Sequence, residues 1–167
     1  DGTIVRGLYY PPASSHFIGT GKPPAILCIH GGPTGQQTAV YSSEVPFFTG
    51  RGYAYLYVNY RGSTGYGRSY MTALREHWGE YDTEDAVSGA RALIDQDLAD
   101  PDRIVIKGGS AGGFTVLNAL VHHPGVFRAG LCLYGVTNLF SLATDTHKFE
   151  ARYLDIMVGM LPETGAR

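Results

Sequence analysis

With 167 residues, 44% of them hydrophobic and 12% aromatic, the chain has the material for one globular domain with a sizeable core. Thirteen Lys and Arg against fifteen Asp and Glu give a net charge of -2 without any basic run, which argues against nucleic acid as a partner. No stretch reaches the roughly 18 uninterrupted apolar residues of a membrane span and the N-terminus lacks the pattern of a signal peptide, so no membrane partner is expected either.

Strand-like and helix-like segments alternate along the chain. "TIVRGLYYP" (3–11) predicts an edge strand stopped by Pro11 and Pro12, followed by the polar, glycine-rich connection "SSHFIGTGKPP". "AILCIH" (25–30) is a short continuous apolar run, as expected of a strand covered on both faces. "EVPFFTGRG" predicts a helix closing at its glycines, and "YAYLYVNY" (53–60) a second buried strand. In "TEDAVSGARALIDQD", Ala86, Val87, Ala90, Leu93 and Ile94 fall at helical spacing, with Asp82, Glu84 and Asp85 near the start, where the helix dipole favours negative charge. "RIVIKG" (103–108) predicts a third buried strand, "GGFTVLNALVHH" the helix after it and "FRAGLCLYG" (127–135) a fourth strand. This alternation implies an α/β fold, a mostly parallel sheet with helices on both faces, in one domain over 1–167. Cys28 and Cys132 lie in apolar strands and read as small buried hydrophobes, not a disulfide, which fits a reducing, cytoplasmic compartment.

One feature of the chain carries chemistry. In "IVIKGGSAGG" (104–113) a strand runs into Gly108, Gly109, Ser110, Ala111, Gly112 and Gly113, and a helix leaves. Gly-x-Ser-x-Gly alone is weak, and a phosphate cradle or plain turn is its bland reading. The strand-to-helix setting is that of a nucleophile elbow, in which a sharp turn holds the serine in a strained conformation and tolerates only small neighbours. Ser110 is therefore the candidate nucleophile, exposed at the carboxyl end of a central strand, with the Ala111 amide at the helix start placed to stabilise an oxyanion. "HGGPTG" (30–35), directly after the first buried strand, supplies the second donor, from Gly31 or Gly32.

With both motifs in place, the chain resembles the catalytic domain of the prolyl oligopeptidase family of serine peptidases, in the α/β-hydrolase superfamily, and is most similar to its acylaminoacyl-peptidase-like branch. The likeness covers about Ile26 to Tyr153 and rests on "HGGP", "NYRGSTGYGRSY" (59–70), "WGEYDTEDAVSGARAL" (78–93) and "GGSAGG", in family order. It implies attack by Ser110 on short peptides through an acyl-enzyme, with no metal or organic cofactor. It also implies an S1 pocket with Val136, Leu139 and Phe149 facing the P1 side chain, although each of the three reads equally as plain core. Arg61, Tyr66 and Arg68 in the glycine-rich loop are read as chiefly structural.

The family order is Ser, then Asp or Glu, then His, and the histidines after Ser110 do not fit it. His122 and His123 lie at the far end of the following helix, about 18 Å away at about 1.5 Å rise per residue. Asp145 and His147 are too close in sequence for a triad; His30 reads as a loop-positioning residue, and His16 and His77 as surface or cap residues. The expectation is truncation: the strands bearing the Asp and His lie beyond Arg167, and a propeller domain precedes Asp1 in a full-length, homo-oligomer-capable protein. On that view residues 1–167 alone are inactive, marginally stable and prone to aggregate, with "RAGLCLYG" as an exposed edge. The rivals are a carboxylesterase on the same scaffold and a catalytically inactive binding domain.

Overall fold

The computed structural model describes residues 2–139, 141, 142 and 153–158. Five strands, β1 (Arg6–Tyr10), β2 (Ala25–Ile29), β3 (Ala54–Asn59), β4 (Ile104–Gly109) and β5 (Ala129–Leu133), form one sheet in the order β1-β3-β2-β4-β5. β1 runs antiparallel on β3, and the other neighbours are parallel. The helices are α1 (Glu44–Thr49), α2 (Arg68–Thr72), α3 (Tyr81–Asp95), α4 (Ala111–His122) and α5 (Tyr153–Val158), with a 3-10 turn over Pro101–Arg103. The fold is the expected α/β arrangement; α2 inside the glycine-rich loop, the 3-10 turn and α5 are elements that the sequence pattern does not announce.

Two cores sandwich the sheet because alternate residues of each strand face opposite ways. Ala25, Leu27 and Ile29 of β2, Ala54, Leu56 and Val58 of β3, and Ile104 and Ile106 of β4 share one face with Ala86, Val87, Ala90 and Leu93 of α3 and with Val116 and Ala119 of α4. Ile26, Tyr55 and Tyr57 share the other with Val45 of α1. Burying a Leu, Ile or Val side chain contributes about 1.5–3 kcal/mol, so the continuous apolar runs of β2 and β3 are explained by having both faces covered.

β5 takes the edge position expected of "RAGLCLYG" in residues 1–167. It lies at the sheet's edge among the described residues, and Leu131 is 52% and Leu133 38% exposed. Cys28 and Cys132 are both free and partly buried, and burial pushes the Cys28 thiol pKa up.

Candidate active site

The parallel register assembles the two glycine motifs. Ile29, the last residue of β2, pairs with Gly108 of β4, so the chain leaving β2 as His30-Gly31 runs beside Gly109-Ser110. A Cβ built on Gly31 would lie 3.4 Å from Ser110 Cβ and 4.0 Å from Ser110 Oγ. The two segments, 79 residues apart in sequence, meet at the carboxyl ends of adjacent strands, where ligands bind in open α/β sheets.

Ser110 is the exposed residue between β4 and α4, with φ +55° and ψ -122°. A side chain at positive φ is sterically costly and is held only when its surroundings dictate it. Those surroundings are explicit. The Ser110 amide donates to Leu133 O at 3.1 Å, and its carbonyl accepts from the amides of Gly113 (3.0 Å), Phe114 (3.2 Å) and Val136 (3.3 Å). The turn also closes onto glycine: a Cβ on Gly112 would sit 2.3 Å from Ile29 O, and one on Gly108 2.4 Å from Gly112 O. Both positions are therefore restricted to glycine by backbone contact.

Ala111 opens α4, so its amide precedes the helical hydrogen-bond ladder and belongs to the helix's positive end. On the facing loop, Gly31 borders Ser110 and Gly32 (φ +135°) precedes Pro33 through a cis peptide. Ser110, Ala111 and the Gly31-Gly32 segment are thus gathered at one place.

A second glycine-rich loop braces this one. The fully buried Tyr60 donates its hydroxyl to Pro33 O (2.9 Å) and His30 O (3.2 Å), and its ring stacks on His30 at 4.3 Å. His30 spans from Gly31 O to Ser63 Oγ, 2.8 Å from each. Thr64 N donates to Gly35 O at 2.7 Å, and Asn59 holds Gln37 through its amide and carbonyl. His30 is a loop-positioning residue, as its sequence setting suggests. Asn59, Tyr60 and Ser63 were invisible to sequence reasoning as supports; the adjacent "NYRGS" offers only a strand followed by a turn.

The loop's structural role holds for Arg61 and Tyr66. Arg61 is buried against Asp85, and the Tyr66 hydroxyl accepts from Asn59 Nδ2 at 2.8 Å. The acidic start of α3 does more than meet a dipole. Asp82 is fully buried, accepts from the Gly79 amide and from Thr115 Oγ1 of α4, and has its pKa pushed up to about 6 by burial.

Val136 and Leu139 are half-buried and pack against the main core, with Val136 joined to Ser110 through its amide. Phe149, Asp145 and His147 lie outside the described residues. His122 ends α4, and His77 is an exposed partner of Glu80. Among the described residues no histidine hydrogen-bonds Ser110 Oγ. The open groove of about 770 Å³ lined by Tyr9, Phe17, Ile18, Tyr53 and Leu98 lies at the amino ends of the strands, away from Ser110.

A mostly parallel sheet with helices on both faces and a serine on a strained strand-to-helix turn defines an α/β-hydrolase fold. The prolyl oligopeptidase family model matches residues 39–164, and the chain belongs to that family. Among solved structures, a puromycin-hydrolyzing peptidase of Mycobacterium tuberculosis is 43% identical, with a TM-score of 0.90 over 95% of this chain and 24% of that one. The acylaminoacyl peptidase of Pyrococcus horikoshii is 28% identical, with a TM-score of 0.80 over 93% of this chain and 24% of that one. Dipeptidyl aminopeptidase BIII of Pseudoxanthomonas mexicana is 31% identical over 79% of this chain. The chain spans 19% of the length of that last relative.

Proposed function

We propose that residues 1–167 are part of the catalytic domain of a serine peptidase that hydrolyses short peptides through an acyl-enzyme on Ser110. The observation that carries this is Ser110 itself: exposed, at φ +55°, at the head of α4 and bordered by Gly31 of the neighbouring loop. In this reading Ser110 Oγ attacks the scissile carbonyl, and the amides of Ala111 and of the Gly31-Gly32 segment receive the oxyanion. Collapse expels the amine, and water then releases the acyl group. The base that takes the serine proton and the acid that orients it come from outside residues 1–167, in the family order of serine, acid and histidine. The names of the relatives support a peptide or aminoacyl amide as substrate.

Val136 and Leu139, which follow the Ser110-bonded strand end, are assigned to the pocket for the P1 side chain together with Phe149. The full-length protein is assigned a preceding propeller domain, a homo-oligomeric assembly and a reducing compartment, the last supported by the two free thiols. None of the described helices is long and apolar enough to cross a membrane.

The test is made on the full-length protein. Ser110→Ala is expected to abolish labelling by a fluorophosphonate and to lower kcat on an aminoacyl anilide by about 10⁴-fold or more. Undiminished turnover by this variant would remove the proposal. A wild-type protein that cleaves aryl esters but no anilide or peptide would shift it to a carboxylesterase.

A further inference from the structure

We infer that Tyr134 is a specificity-determining residue, its ring forming the wall that receives the leaving amine of the substrate and favouring a planar, aromatic group there. This rests on the reading of Ser110 as nucleophile.

The backbone singles Tyr134 out. Gly109 pairs with Leu133 in the parallel ladder of β4 and β5, and the Ser110 amide donates to Leu133 O at 3.1 Å. A regular parallel ladder would return the next bond from the amide of Gly135 to Ser110 O. The Val136 amide makes it instead, at 3.3 Å, so Tyr134 and Gly135 together stand opposite Ser110 as a β-bulge, a device that re-aims a side chain. Tyr134 sits at φ +40°, an outlier for a bulky residue that only its surroundings can impose. Close backbone packing imposes it here: a Cβ on Gly135 would lie 2.3 Å from Cys132 Sγ, and one on Gly113 2.6 Å from Gly135 Cα.

The bulge lays the ring beside the nucleophile. A Cβ built on Gly109, the residue before Ser110, would lie 2.9 Å from Tyr134 Cζ and from its hydroxyl oxygen, and 3.0 Å from Cε2. The ring thus occupies the space that any side chain at position 109 would take. Among the described residues Tyr134 is nonetheless 84% exposed. A large aromatic side chain held in a costly conformation, with most of its surface uncovered, contributes little to the core and presents its ring to whatever approaches Ser110.

β4 lies between β2 and β5, so the loop leaving β2 and the bulge leaving β5 flank Ser110 on opposite sides. The carbonyl carbon attacked by Ser110 Oγ carries three groups. Its oxygen goes to the amides of Ala111 and the Gly31-Gly32 segment, and the P1 residue is assigned to Val136 and Leu139. The leaving amine is left with the side opposite the oxyanion loop, where Tyr134 stands. A ring there attracts planar groups by stacking or edge-to-face contact.

The test compares ratios of kcat/KM, which do not depend on how much of a variant is folded. In the full-length protein, phenylalanyl-phenylalaninamide against phenylalanyl-glycinamide reads the leaving-group side, and the p-nitroanilides of Phe against Ala read the P1 side. Tyr134→Ala is expected to lower the first ratio about five- to tenfold, the scale of one aromatic contact, and to leave the second within about twofold. Tyr134→Phe keeps both ratios within about twofold of wild type. Gly109→Ala, which pushes a methyl group into the place of the ring, lowers the first ratio as Tyr134→Ala does, and the double variant falls no further.

An unchanged leaving-group ratio in Tyr134→Ala, a fall in the P1 ratio instead, or an equal loss in Tyr134→Phe would overturn the inference. Should Tyr134→Ala not fold, Tyr134→Leu, which fills the space without a ring, decides, and is expected to lower the leaving-group ratio as well. Ser110→Ala is measured alongside. If it is inactive while the leaving-group ratio is unchanged in the Tyr134 variants, only this inference fails; if it is active, the nucleophile reading fails with it.

Discussion

Arg61 and Asp85 form a buried two-pronged ion pair between the loop after β3 and the second turn of α3. Arg61 Nη2 lies 2.7 Å and Nε 3.0 Å from Asp85 Oδ1, the Arg61 amide donates to Oδ2 at 2.7 Å, and the guanidinium lies over the Tyr81 ring at 4.1 Å. The side chains are 6% and 2% exposed, so neither charge has water to fall back on. Removing Asp85 takes the two shortest contacts from the buried guanidinium and leaves its Nη2 the longer contact with Glu84 Oε2 at 3.3 Å, against a cost of about 3–5 kcal/mol for breaking a buried pair. Asp85→Ala in the full-length protein is therefore expected to lower stability by about that amount. Asp85→Asn, which keeps an acceptor for the Arg61 amide, is expected to lose less. Chemical denaturation checks both, and an Asp85→Ala protein as stable as wild type would contradict the assignment.

The strain at Ser110 makes an unusual ordering of two variants. Alanine is ordinarily preferred to glycine by up to about 1 kcal/mol near a helix, because glycine loses more backbone freedom on folding. At φ +55° the Cβ penalty, about 1–3 kcal/mol, acts against alanine. Ser110→Gly is expected to be at least as stable as Ser110→Ala, and about 1 kcal/mol more stable if the strain dominates. A clearly more stable alanine variant would mean that the turn carries no such strain.

Asp82 predicts a stability difference that depends on pH. Its pKa, pushed up to about 6 by burial against the bonds from Thr115 and Gly79 and with Asp85 nearby, exceeds the ordinary carboxylate value of 3.8. The folded state therefore holds this proton more tightly than the unfolded state. The resulting stabilisation is fully present below pH 3.8 and is lost as pH rises through about 6. At about 1.4 kcal/mol per pH unit the gap corresponds to about 3 kcal/mol. Relative to Asp82→Asn, the wild-type protein is expected to lose stability between about pH 4 and pH 6. Denaturation of both proteins across that range measures the difference; a constant offset would show that Asp82 titrates normally.

Among the described residues β5 is an edge strand that bears Leu131 and Leu133 on exposed positions. Unpaired apolar edges template association. The isolated segment is expected to self-associate, and Leu131→Lys with Leu133→Lys to reduce that association in light scattering. A monodisperse, reversibly unfolding wild-type segment would argue against it.

What the sequence made legible is what local pattern controls. Apolar runs marked β2, β3 and β4, helical spacing marked α3, and glycines around Ser110 between a strand and a helix marked the elbow, because each signal lies within a dozen residues. Pairings across the fold left no such mark. Asp82 and Asp85 looked like dipole-favoured charges at a helix start, yet their partners are Thr115 and Arg61, 33 and 24 residues away. Ser63 was one polar residue in a turn until the register of β2 and β3 brought it to His30. The apolar character of β5 by itself speaks for an interior strand; its place as an edge among the described residues matches the expectation drawn from the family resemblance, not from local pattern.

The Ser110 carbonyl accepts the amides of Gly113, Phe114 and Val136 at once, while the Ser110 amide is bound by Leu133 O. The backbone of this single residue therefore fastens the start of α4 to the end of β5 and the segment that leaves it. Deuterium uptake at Val136, a position outside any helix or strand ladder, becomes a reporter of the Ser110 turn: its amide should stay protected as long as the turn is closed, and exchange as soon as it opens.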